Sequence, residues 1–223
     1  MTFSIVARCA TTGQFGMAIS SSSPAVAARC AHVRAGVGVV ASQNITDPEL
    51  GILTLDAMTT GLSSEQAVAK VLKNRLYKDY RQLLAVDKHG NVTIHSGQNV
   101  LGTWSEDKGV DCAAAGNLLA NTEIASVMVK CFEQTQGQLA DRLLAALEAA
   151  ENAGGEAGPV HSAGLKVADK LSWPYIDLRS DWSETPIKDL RAAWEIYKPQ
   201  VDAYVQRAIN PTEAPSYGVP GNL

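Results

Sequence analysis

Strands and helices come in blocks along this chain, not in alternation, and that order narrows the fold more than any other feature. Residues 3–8 (FSIVAR) have strand composition, 10–13 (ATTG) make a turn, and 14–20 (QFGMAIS) read as the return strand of a hairpin. Pro24 opens a helical turn within 24–33. The run 35–43 (AGVGVVASQ) is apolar and β-branched, a strand buried on both faces in which Gly36 and Gly38 permit close backbone approach. Two helices are expected next, over about 47–60, ending at Gly61, and about 64–74, where Ser63 and Gln66 form a capping box.

Strands return at 81–87 and 91–96, joined by Lys88-His89-Gly90, and at 110–116, running into Gly116-Asn117. Helices follow at about 122–134 and 138–152. The second carries Leu139, Leu143, Leu144 and Leu147 at helical spacing and stops at Gly154-Gly155. The last strands fall at 160–168 and 174–179 and the last helix at 186–208. Blocks of this kind argue against a doubly wound parallel sheet. They predict an α+β fold in four layers, αββα: two stacked, mainly antiparallel sheets with helices outside. Residues 1–209 read as one domain. Residues 210–223, with Pro211, Pro215 and Pro220, read as a tail that is disordered or packed on a partner.

Charge and hydropathy exclude several classes of function. The formal net charge is −4, with none of the basic clustering of a nucleic-acid binder. No apolar run approaches the roughly 20 residues that span a bilayer, which argues against a membrane partner. The opening MTFSIVARC lacks the features of a secretory signal, so a cytoplasmic location is expected. Cys9, Cys30, Cys112 and Cys131 form no C-x-x-C and gain no ligand spacing from His32, His89, His95 or His161. They are expected to be small buried hydrophobes, and no metal or cofactor is expected. A small-molecule substrate and a homodimer or higher homo-oligomer are.

The residue that carries most chemistry is Thr2. Removal of Met1 frees an α-amine beside the Thr2 hydroxyl. With a reference pKa of about 7.7–8, that amine is partly neutral near pH 7 and takes the hydroxyl proton. Nucleophile and base then belong to one residue, at the start of a strand that holds it. Around it, the run Ser20–Ser23 ends the second strand of the hairpin, which brings Ser21 near. Asn117, at a strand end, is a candidate donor to a developing oxyanion, as are Gln43 and Asn44. Arg179, flanked by Asp177 and Asp181, is either a clamp for a substrate carboxylate or part of an internal ion pair.

Several stretches, in order, resemble one family. They are TFSIVAR, SSSSPAVAARCAHVRAGVGVVASQ, RQLLAVDKHG, AAGNLLAN, RLLAALEAAENAGG, HSAGLKV and YIDLR. The chain is similar over residues 2 to about 197 to the domain-of-unknown-function family 1028, grouped with N-terminal-nucleophile (Ntn) hydrolases. The resemblance implies an αββα sandwich and places Thr2 where that superfamily keeps its nucleophile. It also marks Ser21, Gln43, Asn117, Asp177 and Arg179. The chain departs from the family pattern at Cys9, at Ser22-Ser23, in EAGPVHSAG, and at Trp182 and Ser183. With Thr2 at the start of a strand inside this match, the expected activity is hydrolysis of a C–N bond in a small amide-like metabolite; by residue type Thr2 and Asn117 are assigned as catalytic and Ser21, Gln43, Asn44, Asp177 and Arg179 as substrate-binding. Two alternatives stay open: an inactive relative that binds a small molecule or serves in assembly, and an imine or enamine hydrolase that does not use Thr2.

Overall fold

The structure is a computed structural model and describes residues 1–219. The N-terminal hairpin is β1 (Thr2–Arg8) and β2 (Phe15–Ser21), followed by α1 (Val26–Cys30), β3 (Ala31–Arg34) and β4 (Gly38–Asn44). Two helices, α2 (Pro48–Thr59) and α3 (Ser64–Leu72), precede a 3-10 turn at Lys78–Tyr80 and four strands: β5 (Arg81–Asp87), β6 (Val92–Ser96), β7 (Ser105–Gly109) and β8 (Cys112–Asn117). Then come α4 (Ile124–Gln134), α5 (Leu139–Asn152), β9 (Ser162–Ala168), β10 (Ile176–Ser180), α6 (Pro186–Tyr197) and α7 (Val201–Ile209).

The strands form two sheets, one in the order β10-β9-β2-β1-β8-β7 and the other β3-β4-β5-β6, with every neighbouring pair antiparallel. Period-two alternation sorts the side chains into three apolar layers. Phe3, Ile5, Ala114 and Leu165 face outward from the large sheet onto Met128, Leu143, Leu147 and Trp194 of α4, α5 and α6. Val6, Met17, Ile19 and Ala113 face inward onto Val39, Ala41, Leu84 and Val86 of the small sheet, with α1 inserted beside them. Val40, Leu83 and Ala85 face outward from the small sheet onto Leu50, Met58 and Val68 of α2 and α3. The result is the expected αββα sandwich. The capping box is present too: Ser63 Oγ accepts from the Gln66 N–H, and Gln66 Oε1 accepts from the Ser63 N–H. No helix of the described residues is long and apolar enough to cross a membrane.

Four local expectations need correction. The expected strand 35–43 begins at Gly38, because Gly36, at φ 68°, turns the chain between β3 and β4. β3 itself lies where a helical turn was expected to run on to residue 33. β7, the charged stretch SEDKG, had no expected counterpart. The helix expected over 186–208 is two helices, α6 and α7, broken around Pro199, which has no backbone N–H to continue the helical ladder; Lys198 before it still keeps helical angles, φ −47° and ψ −48°. Among the cysteines, Cys30 and Cys112 are buried while Cys9 and Cys131 are partly exposed; all four are free. Of the tail, residues 215–217 lie along α7: Arg207 donates to the Pro215 carbonyl at 3.0 Å and stacks on the Tyr217 ring. Pro220 and the three residues after it lie outside the described residues.

Candidate active site

The inward faces of the two sheets are apolar over most of their area and turn polar at one end. Along β1 the inward positions are Thr2, Ser4 and Val6, so the hydroxyl residues mark the start of the strand and the aliphatic residue its middle. Thr2 pairs with Asn117 of β8 on one side. The hairpin register, Phe3 with Ser20, sets Ser21 of β2 beside Thr2 on the other. Thr2, Ser21 and Asn117 are all buried.

The hydroxyls around Thr2 lie close together. The Ser23 N–H donates to Ser21 Oγ at 3.1 Å, and the Ser21 and Ser23 hydroxyl oxygens are 2.8 Å apart. Ser21 Oγ donates to the carbonyl oxygen of Met1 at 2.5 Å, and Thr2 Oγ1 donates to the same oxygen. The Thr2 and Ser21 hydroxyl oxygens are 3.5 Å apart. Ser23 Oγ is held by the Arg29 guanidinium, so a basic side chain of α1 anchors the turn after β2.

Behind Thr2 a polar network crosses between the sheets. Ser4 Oγ donates to Gln43 Oε1 at 2.6 Å, and Gln43 Nε2 donates to Gln82 Oε1 at 2.8 Å and to the Ala115 carbonyl at 3.2 Å. Gln82 Nε2 donates to Ser96 Oγ at 3.0 Å, and Ser96 Oγ to Glu106 Oε2 at 2.6 Å. Asn117 Nδ2 donates to Gln82 Oε1 at 3.3 Å, while Asn117 Oδ1 has no partner among the described residues. A buried acceptor left unpaired costs about 1–3 kcal/mol. Asn117 was expected to donate to an oxyanion; one N–H of its amide is engaged by Gln82, which leaves its second N–H and the acceptor Oδ1 without a partner among the described residues.

On the outer side of the Ser21–Ser23 turn lies Glu156, which is 4% exposed. Its two carboxylate oxygens receive one backbone donor, the Ser22 N–H, at 3.1 and 3.2 Å. Burial pushes its pKa up to about 7, against the opposing pull of the chain's N-terminal amine, the Ser22 hydrogen bonds and His161. The His161 N–H donates to the Ser21 carbonyl at 2.8 Å. Its ring stacks on Trp182 at 4.5 Å.

The other expected site residues lie elsewhere. Asn44 ends β4 at φ 73° and clasps two loops, donating to the Tyr80 carbonyl at 2.7 Å and accepting from the Leu101 N–H at 3.2 Å. Asp177 pairs with Lys166 at 3.1 Å and Arg179 with Asp181 at 3.5 Å. Arg179 shares a cross-sheet row with Ser4 through Gly164 and Ile19, three strand spacings or about 14 Å away. The structure therefore brings together Thr2, Ser21, Gln43 and Asn117, and leaves out Asn44, Asp177 and Arg179. Sequence reasoning missed Ser4, Gln82, Glu156 and His161. A polar residue at an inward strand position, as in RQLLAVD, was the available signal for Gln82.

The fold and this site define an αββα protein with a buried hydroxyl cluster at the start of its central strand. The chain belongs to the family of unknown function DUF1028, whose model matches residues 2–190. It is similar to protein SPO2555 from Silicibacter pomeroyi, a crystal structure described with the same family model. That likeness has 28% identity, covers 92% of this chain and 90% of that one, and has a TM-score of 0.85. Anbu (ancestral beta-subunit) from Yersinia bercovieri matches at 10% identity over 92% of this chain and 97% of that one, with a TM-score of 0.40. None of the curated proteins matches.

Proposed function

We propose that the protein is an Ntn-type hydrolase that cleaves a C–N bond of a small amide-like metabolite, with Thr2 as the nucleophile once Met1 is removed. The observation that carries this reading is the convergence of the Thr2 and Ser21 hydroxyls on one carbonyl oxygen, that of Met1. A substrate carbonyl replacing it meets an attacking oxygen and a donor, the Ser21 O–H, whose oxygen is held by the Ser23 N–H.

In this mechanism the freed α-amine of Thr2 takes the proton of Oγ1 as the oxygen attacks the substrate carbonyl carbon. Ser21 O–H donates to the oxygen as it gains charge, a contribution of several kcal/mol for a preorganised donor. The ammonium returns its proton to the leaving nitrogen, the C–N bond breaks and an ester on Thr2 remains. Water, deprotonated by the same amine, hydrolyses the ester and restores Oγ1–H. The Gln43–Gln82 network holds the ends of β1 and β8 in register behind the reacting atoms. The reaction draws on side chains and the chain end for its proton transfers. The protein acts in the cytoplasm, on a small-molecule substrate, as a homo-oligomer.

The test begins with the intact mass of native protein, expected to lack Met1. Turnover of a panel of small amides is then compared between wild type and Thr2→Ala. Thr2→Ala is expected to lower kcat by a factor on the order of 10³ or more. Equal rates in the two proteins would remove Thr2 from the chemistry and leave imine or enamine hydrolysis by activated water as the better reading. A native protein that keeps Met1 and still binds a metabolite would make it a binding protein.

A further inference from the structure

Asn117 Oδ1 is an amide oxygen of a fully buried residue, with no donor among the described residues. It sits cross-strand from Thr2, on the same face of the same ladder. Two backbone carbonyls fix which end of each amide in the network is oxygen. The Ala115 carbonyl accepts from Gln43, so the nitrogen of Gln43 faces β8 and its oxygen faces the Ser4 hydroxyl. The second N–H of Gln43 goes to Gln82, which must therefore offer its oxygen there, and Gln82 turns its nitrogen to the Gly116 carbonyl and Ser96 Oγ. Asn117 meets that same Gln82 oxygen and must present its nitrogen to it. Reversing the Asn117 amide would set two oxygens against each other. The polarity runs from backbone to site and ends in an open acceptor on Asn117, the cross-strand partner of Thr2.

We propose that Asn117 Oδ1 determines specificity by accepting an N–H of the substrate, so that the site selects amides bearing an N–H over esters and fully substituted amides. The inference deepens the reading of Thr2 as nucleophile and rests on it for the place where substrate enters. An ester offers Oδ1 a lone pair where an amide offers a hydrogen, and the buried acceptor then stays unpaired. Sites built to bond a substrate N–H or O–H reject analogues lacking it far more strongly than apolar pockets reject a missing methylene. For one neutral hydrogen bond the expected discrimination is about tenfold to a hundredfold.

The experiment uses the near-isosteric pair N-methylbutyramide and methyl butyrate, which differ by N–H against O. Dissociation constants are measured by ligand-observed NMR on Met1-free full-length protein carrying Thr2→Ala, so that neither probe is consumed by Thr2. The amide is expected to bind at least tenfold more tightly than the ester, and adding Asn117→Ala is expected to bring the two within twofold. Equal binding of the pair in the Thr2→Ala protein overturns the proposal, as does failure of both to bind or an unchanged ratio in the Asn117→Ala protein. The first comparison needs no change at Asn117, so it stands even where that variant does not fold. Selective binding of the amide alongside equal amide turnover by wild type and Thr2→Ala would sink the nucleophile and keep the acceptor.

Discussion

Both carboxylate oxygens of Glu156 depend on a single backbone donor, the N–H of Ser22, at 3.1 and 3.2 Å. Burial is the main reason its pKa rises from 4.5 to about 7. The folded state therefore holds this proton more tightly than the unfolded chain does. The stabilisation is fully present below pH 4.5 and is lost as pH rises through about 7. Glu156→Gln keeps an acceptor for Ser22 without the charge. It should match wild type at pH 4 and be more stable at pH 8, by up to about 3 kcal/mol for a shift of this size. Urea unfolding at the two pH values measures the difference; a variant that tracks wild type at both would show that Glu156 is ionised without cost.

Gln82 links four strands through its amide, receiving from Gln43 and Asn117 and donating to Ser96. Gln82→Met should cost about 3 kcal/mol, because it leaves several buried polar groups short of a partner. Adding Gln43→Met removes one of those groups, so the double variant should cost less than the sum of the singles. The coupling, expected at about 1 kcal/mol or more, is read from a double-mutant cycle in denaturant. Strict additivity would mean that the two amides do not act as one unit.

Gly164 of β9 faces α1, and a methyl group there would lie 2.3 Å from Ala27 Cβ. Gly164→Ala should push α1 away from the large sheet and cost about 1–3 kcal/mol. Because Arg29 of α1 anchors Ser23, the same variant should lower amide turnover by more than its stability loss explains. The check is turnover measured well below the variant's melting temperature. A fully active, destabilised Gly164→Ala would show that the turn after β2 is set independently of α1.

Trp194 is fully buried under the large sheet, with its Nε1–H donated to Asp141 at 2.8 Å. Trp194→Ala should cost about 3–5 kcal/mol. Trp194→Phe should cost less, since Asp141 keeps Lys198 at 2.9 Å. Thermal unfolding distinguishes the two, and neither should alter the probe selectivity set by Asn117 on the opposite face of that sheet.

The parts of the fold that were legible in sequence are those where one physical signal dominates. The β1–β2 hairpin, the capped α3 and the leucine stripe of α5 each carry an unambiguous period or cap. β7 was not legible because SEDKG is an edge strand with alternating exposure, so it lacks the β-branched apolar pattern of a buried strand. β3 was hidden because AARCAHVR begins with good helix formers and only pairing with β4 extends it. In the site, Thr2, Ser21, Gln43 and Asn117 were legible because each lies at or next to the end of a strand, beside a change of composition. Glu156 was not, since a carboxylate in a Gly-rich loop looks solvated until the fold covers it. Arg179 and Asp177 lie on an edge strand, where each finds an ion-pair partner nearby, Asp181 and Lys166 respectively.

β1 is flanked by β2 and β8, and the five other strands of the six-stranded large sheet share its hydrogen-bonded frame. A side chain at its tip inherits that immobility, and small adjustments of reach are closed to it. Preference is then set by what surrounds it, Asn117 across the ladder included, while the attacking oxygen stays put. A substrate that does not come to this oxygen in the right attitude cannot be accommodated by the oxygen going to it.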